Sequence, residues 1–347
     1  MKRFIALVGI FLLSTGLYAG SGHDGEGFNP GHMIFHHLLD DYQWHFATVG
    51  DKHISLYLPI IVYSPERGLS IFSSKHLIYN EHYNGYKIER TNLGKPYIVA
   101  VDENGNVLDI PVYDFSITRT VFQGILAAIL LILIMIPVAR AYSRDPYSPP
   151  KSLMQRLLEP VILFIRDDVA KPTIGEKHKK FLPYLLTAFF FILTSNLLGL
   201  TPFGFNITGN ISTTVTLTLF TFIIIHANAN KEYWKHIFNT PGVPWWLKFG
   251  LPIMPLVEVI GVFSKHIALA VRLFANIFGG HMSMLSILSM IFIFGSMSVI
   301  AGLGISPVVV GLLIFLFFLE ILVAFIQAYI FTMLSSLFIG MAVQEHH

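Results

Sequence analysis

The chain has 347 residues, 54% of them hydrophobic and only 13% charged, with a mean hydropathy of +0.63 and a formal net charge of +2. Its long apolar runs exceed what a soluble core of this size needs, so the composition is that of a polytopic membrane protein, and so small a net charge gives no ground for a nucleic-acid partner. The lack of cysteine excludes disulfides, thiolate zinc sites and a cysteine nucleophile.

Residues 1–19 have the layout of a secretory signal peptide: Lys2 and Arg3, an apolar run from Phe4 to Leu13 too short to span comfortably, and small residues at Ala19 and Gly20. Cleavage is favoured over an uncleaved anchor, and the segment after it is expected outside the cytoplasm. Residues 20–117 are polar and turn-rich, with β-like runs at 53–64 and 97–101 and a hairpin-type turn at Glu103-Asn104-Gly105-Asn106. They predict a small extracytoplasmic β-containing domain. The histidines His23, His32, His36, His37 and His45 match no dedicated metal-binding spacing.

Residues 118–347 predict a membrane domain. A first span is expected at 121–139. The loop 140–180 carries nine Lys/Arg and is cytoplasmic by the positive-inside rule. Within it, 153–165 suits either a helix lying on the membrane surface or one packing on another subunit. Two spans at 181–200 and 211–227 flank an uncharged turn, and Lys231, Lys235 and Lys248 return the chain to the cytoplasm. The stretch 251–300 is too long for one upright span and predicts a tilted or bent helix; 307–341 is a long final helix ending inside. The expected fold class is an all-α polytopic membrane protein of about five membrane helices, two of them long and tilted, with an N-terminal extracytoplasmic β-containing domain.

Glu258, Lys265, Arg272 and Gly279 recur every seven residues, so on a helix they lie close to one face, joined by Asn276 four residues after Arg272. A charged side chain at mid-membrane is by default a functional-site hypothesis. Arginine stays protonated at any physiological pH, presents a planar donor fork, and favours the ionised form of a nearby carboxylate. Carboxylates on a moving partner would have to release a proton before reaching Arg272 and regain one after leaving. Two separate aqueous paths would make that passage directional. His281 falls about half a turn away from Arg272, and Glu320 and Gln327 share a face of the final helix. Histidine and a desolvated glutamate can both titrate near neutrality, so His281 and Glu320 are expected to meet in one path.

With these residues in view, the sequence resembles the a subunit of the F-type ATP synthase, the stator half of its proton channel. The resemblance rests on E-x6-K-x6-R-L-F-x-N-x-x-G-G-H from Glu258 to His281, on Glu320 and Q-A-Y-I-F from Gln327, and on N-L-L-G-L-T-P from Asn196 with N-I-S-T-T-V-T-L from Asn210. It covers roughly 121–347. The resemblance implies that Arg272 faces the c-ring carboxylate, that Asn276 and Gln327 are its polar neighbours, and that His281 and Glu320 lie in the half-channel open to the outside. It also implies channel lining by Ser195, Asn196, Ser212 and Thr214. The implied partners are the c-subunit ring, the b subunits of the peripheral stalk, F1 indirectly, and membrane lipid, in a bacterial inner membrane with the N-terminus outside and the C-terminus in the cytoplasm. No cofactor is implied, and the chain carries no Gly-rich phosphate loop. His266 departs from the proline common at that position, and the domain at 20–117 is longer than in most members.

Other readings stay open. Glu258 and Lys265 fit an ion pair as well as a channel role, and the four hairpin residues fit hydrogen bonding between helices. A secondary transporter would show inverted repeats, which are not evident. A binding module anchored by its helices would keep its activity in the outer domain. The choice between H⁺ and Na⁺ belongs, by the resemblance, to the c subunit.

Overall fold

A computed structural model describes residues 39–49, 52–91, 94–145, 149–201, 205–238 and 253–343. The expected signal peptide, the histidines His23, His32, His36 and His37, and Lys248 lie outside them. The chain divides into two compact units, one made of residues 1–126, 197–210 and 278–321, the other of 127–196, 211–277 and 322–347.

In the first unit, β1 (Gln43–Val49) pairs antiparallel with β2 (Lys52–Tyr57). Strand β3 (Pro59–Ser64) lies between β4 (Gly68–Ser73) and β7 (Tyr113–Asp114) in a second sheet, and β5 (Tyr86–Arg90) pairs with β6 (Pro96–Ala100) in a third. A short helix, α1 (Lys75–Tyr79), links β4 to β5. The β-like run at 53–64 is therefore two strands in two sheets. Buried Leu58 divides them, its N–H donating to Tyr42 O at 3.2 Å and to Ser74 Oγ at 3.1 Å. Alternation along β3 sends Ile60 and Val62 inward against Tyr42, Leu77, Tyr86 and Ile98. The turn at 103–106 is present: the Asp102 carboxylate accepts from the N–H groups of Asn104 and Asn106 at 2.9 and 2.8 Å, and Gly105 supplies the required φ of +82°.

Helix α2 (Arg119–Arg144) comes directly after this domain. Its first turn is held by Asp40 and Asp41: Thr120 N donates to Asp40 Oδ1 at 2.9 Å, Arg119 N to Asp41 O at 2.8 Å, and the Arg119 guanidinium to Leu39 O. An acidic side chain at a helix N-terminus satisfies orphan N–H groups and favours the macrodipole. Asn206 N donates to Gln123 Oε1 at 3.1 Å, and Trp44 stands edge-on to Phe205 and Phe122.

In the second unit, Ser152 and Gln155 form a capping box for α3 (Leu153–Phe164). A π segment (Ile165–Ala170) leads into the single turn α4 (Lys171–Ile174), which ends at Gly175 with φ +74°. Helices α5 (His178–Gly199) and α6 (Ile211–Ala227) come next, and α7 (Lys231–Phe238) bends 103° from α6. Two 45-residue helices complete the chain: α8 (Ile253–Met297) and α9 (Val299–Val343). Leu185, Ile192, Ile225, Leu269, Leu273, Phe331 and Ile339 belong to one core cluster. Gly340 lies so close to α4 that an added Cβ would strike the Thr173 carbonyl, and the hydroxyls of Thr173 and Ser336 share a hydrogen bond.

Among the described residues, four helical stretches are long and apolar enough to cross a membrane: Arg119–Arg144, Leu153–Gly199, Met254–Met297 and Val299–Val343; the bent pair makes a fifth. This agrees with a mostly helical, polytopic chain. At about 1.5 Å per residue, a 45-residue helix is about 68 Å long. That is more than twice the hydrocarbon core of about 30 Å, so neither long helix fits its whole length upright within the core. Two boundaries differ from expectation. The stretch 153–165 belongs to a longer apolar helical run with α5, and the final helix begins at Val299, with Pro307 inside it. Membrane helices tolerate an interior proline, and here the hydroxyl of the preceding Ser306 donates to Gly302 O at 2.6 Å.

Candidate functional site

In the second unit, His266, Leu269, Ala270, Leu273 and Ile277 are the buried positions of α8, recurring every three or four residues. That periodicity turns the opposite face outward, where Lys265, Arg272 and Asn276 are exposed. Among the described residues, Arg272 has neither a hydrogen-bond nor an ion-pair partner. Glu258 and Lys265 form no ion pair with each other or with another described residue. Asn276 Nδ2 donates to Gln327 Oε1 of α9 at 2.8 Å. Gln327 is only 2% exposed, and buried Ala324 and Phe331 lie one turn away on the same face. Asn196 Nδ2 reaches Ala324 O at 3.4 Å, while the buried Ser195 Oγ has no partner. Thr214 is buried and donates to Ile211 O of its own helix at 3.0 Å; Ser212 is exposed.

A second cluster lies in the first unit. Glu320 of α9 is 7% exposed, and its carboxylate packs on the backbone of α8 at Gly280, where an added Cβ would collide with it. His281 is the next residue, and its Nε2 would lie 3.3 Å from a Cβ on Gly199 at the end of α5. Glycine at both positions opens the space the two polar side chains use. The two side chains thus pack on different backbone positions, Glu320 at Gly280 and His281 toward Gly199, without a hydrogen bond between them. Met284, Leu288, Val309 and Leu313 continue the α8–α9 packing with an apolar cluster.

A family model described as "ATP synthase A chain" matches residues 121–340, the part of the chain that holds both clusters. This chain belongs to that family. It is 43% identical over 246 residues to "ATP synthase subunit a" of Chloroherpeton thalassium, covering 69% of this chain and 71% of that protein. Likeness to "ATP synthase subunit a 2" of Chlorobaculum tepidum is 43% over 318 residues, or 90% of this chain and 73% of the relative. "ATP synthase subunit a 2" of Chlorobium luteolum is 37% identical over 327 residues, 93% of this chain and 78% of that one. The last two alignments are too long to fit within the membrane helices alone. A domain of unknown function matches residues 33–115, which hold the β-strands of the first unit.

Of the residues expected at the site of this ATP synthase A chain relative, the structure pairs Asn276 with Gln327 and packs Glu320 at Gly280 and His281 toward Gly199. Ser212 faces outward, and buried Thr214 bonds the backbone of its own helix. Sequence reasoning passed over Gly199, Gly280, Thr218 and Thr221. Thr214, Thr218 and Thr221 fall on one buried helical face, and Tyr184 OH meets Thr221 Oγ1 at 2.5 Å. Their spacing of four and three was available as a signal. His45, the one described member of the N-terminal histidine group, bonds Ser55 Oγ at 2.8 Å.

Proposed function

We propose that the chain is the proton-conducting stator subunit of an F-type ATP synthase, with Arg272 facing the c-ring carboxylates. The observation that supports this best is an arginine held outward on a membrane helix with no counter-charge among the described residues. A carboxylate arriving from a neighbouring ring would meet a permanent cation and stay ionised beside it. The Asn276–Gln327 bond ties α8 to α9 one turn from the arginine and fixes the polar edge of that surface. His281 and Glu320 line the half-channel open to the outside, with Ser195, Asn196, Ser212 and Thr214 as further polar lining. A second path leads from Arg272 to the cytoplasm. Each proton crossing about 100 mV supplies about 2.3 kcal/mol, so several must pass per ATP formed in F1.

In this reading, residues 1–19 are a signal peptide, 20–117 an extracytoplasmic domain and 118–347 the membrane domain. The protein sits in a bacterial inner membrane with its C-terminus in the cytoplasm, and contacts the c-ring, the b subunits, lipid and, indirectly, F1. The subunit has no catalytic site of its own.

The test is ATP-driven acidification of inverted membrane vesicles, comparing wild type with Arg272→Ala after equal assembly with the c-ring is confirmed. Loss of pumping in the assembled variant is expected. Normal coupled pumping would make the arginine structural and overturn the assignment.

A further inference from the structure

Resting on that reading, we propose that His266 and His226 form a proton-accepting pair lining the path between Arg272 and the cytoplasm. The pair stands on geometry. His266 Nδ1 lies 2.8 Å from Val262 O, four residues earlier in α8, and His226 Nδ1 lies 2.8 Å from Phe222 O, four residues earlier in α6. A carbonyl can only accept, so in each neutral ring Nδ1 carries the hydrogen and Nε2 presents a lone pair. Two histidines on different helices are thus fixed in the same tautomer, each with its basic nitrogen free of its own backbone.

What those nitrogens meet differs. His226 Nε2 faces Tyr233 OH of α7 at 3.4 Å. His266 is 7% exposed, and its Nε2 is buried with no hydrogen-bond partner among the described residues. The ring centroids are 5.9 Å apart, with Phe222 edge-on to His266 at 5.0 Å and Phe338 of α9 at 5.6 Å. A phenylalanine would fill an aromatic site of this kind without stranding a lone pair. A buried basic nitrogen left open is instead a place for a proton or the water that delivers it. The groups acting on the pair are few: His226 and Lys265 act electrostatically on His266, Glu258 acts on Tyr233, and α9 contributes the apolar Phe338.

Placement supplies the rest. His266 lies six residues before Arg272 on α8, about 9 Å along the axis, toward the end of the helix that comes after α7. Helix α7 carries Lys231 and Lys235, the charges that mark the cytoplasmic side in the proposed orientation. The transfer step is simple. A protonated water gives its proton to His266 Nε2, leaving neutral water and an imidazolium still anchored through Nδ1–H to Val262 O. The same Nε2 returns the proton to water on the other side, with no change of tautomer.

The experiment measures passive proton conductance of the intact Fo sector in F1-stripped inverted vesicles, as the pH of the cytoplasmic face is varied from about 6 to 8. Wild type, His266→Gln, His266→Phe, His226→Phe and Arg272→Ala are compared at equal assembly. Glutamine keeps polarity and approximate reach but cannot titrate here. His266→Gln is expected to lower conductance about tenfold, less than the roughly hundredfold typical of a positioned acid–base group because water offers a bypass. It should also erase the pH dependence of conductance on the cytoplasmic face while leaving the outer-face profile unchanged. His226→Phe should shift that dependence. If both His266 variants keep the wild-type conductance and pH dependence, the pair is structural and the inference fails, whatever Arg272→Ala does. If wild type conducts no protons, the proposed function fails and takes the pair with it.

Discussion

Replacing Gly280 by alanine tests the position of Glu320 with the smallest possible change. A Cβ at Gly280 would collide with Glu320 Oε1 and lie 2.7 Å from Oε2, while ordinary contact begins at 3.4 Å. Even the farther oxygen must retreat by 3.4 − 2.7 = 0.7 Å, and the nearer one by more. The colliding atoms end a flexible side chain, so the fold can yield by twisting a χ angle at a cost of about 0.5–1.5 kcal/mol. Assembly should therefore survive. Proton transfer should not, because a misplacement of about 1 Å can cost about 100-fold in rate. Passive proton conductance of assembled Gly280→Ala vesicles is expected to fall by about that factor. Adding Glu320→Asp withdraws the carboxylate by one carbon–carbon bond, about 1.5 Å, and should restore a substantial part of the loss. Wild-type conductance in Gly280→Ala, or a double variant no better than the single, would refute the proposed role of this contact.

Other contacts carry two more expected outcomes. Asn276→Leu and Gln327→Leu each strand the other amide and should destabilise the purified complex by about 1–3 kcal/mol in denaturant unfolding. Their double-mutant cycle should show coupling of about 0.6–1.7 kcal/mol, and strict additivity would contradict the 2.8 Å bond. In the β-strand domain, burial and then the hydrogen bond to Asp114 push the Tyr42 phenol well above its ordinary value. A group raised on folding contributes stability that is complete below its unfolded pKa, about 10, and is lost as pH rises toward the folded value. Limited proteolysis of the full chain should therefore show the β-strand domain opening above about pH 10. Tyr42→Phe should reduce that dependence, and an identical alkaline profile in the variant would count against it.

What the sequence made legible is periodic. The spacing of seven through Glu258, Lys265 and Arg272 marked a face of one helix, and the structure leaves Lys265 and Arg272 outward because Leu269, Leu273 and Ile277 claim the other side. Glu320 and Gln327 were likewise placed on one face, and both are buried. What stayed illegible depends on partners far along the chain. Gly199 and Gly280 gain meaning only when α5, α8 and α9 converge, since a glycine reads locally as flexibility and not as room for a distant carboxylate. The break at Leu58 escaped notice because both flanking strands carry the same alternation; the hydrogen bonds to Tyr42 and Ser74 decide it. Pro307 reads as a helix start by a rule learned in water, where an interior proline costs a backbone hydrogen bond; a membrane helix tolerates it, and α9 begins at Val299.

The isolation of Arg272 is the feature that an internal partner would most easily have removed. An arginine at mid-membrane opposes insertion by about 2.5–3.5 kcal/mol, and a carboxylate one turn away on α8 would relieve that. The sequence places alanine there: Ala268 is exposed four residues before Arg272, and Glu258 is fourteen residues away, about 21 Å along the helix. If the arginine's task is to hold passing carboxylates ionised, a built-in acid would occupy the donor fork and a ring carboxylate would meet a neutral pair. Ala268→Glu makes that substitution in the orientation most favourable for an i,i+4 pair, glutamate N-terminal to the cation. The variant should assemble at least as well as wild type and lose ATP-driven acidification by about tenfold or more, since even a partly exposed pair at an effective dielectric of 20 interacts by about 4 kcal/mol at 4 Å. Coupled pumping at the wild-type rate in Ala268→Glu vesicles would mean that the free charge of Arg272 is not what the ring senses.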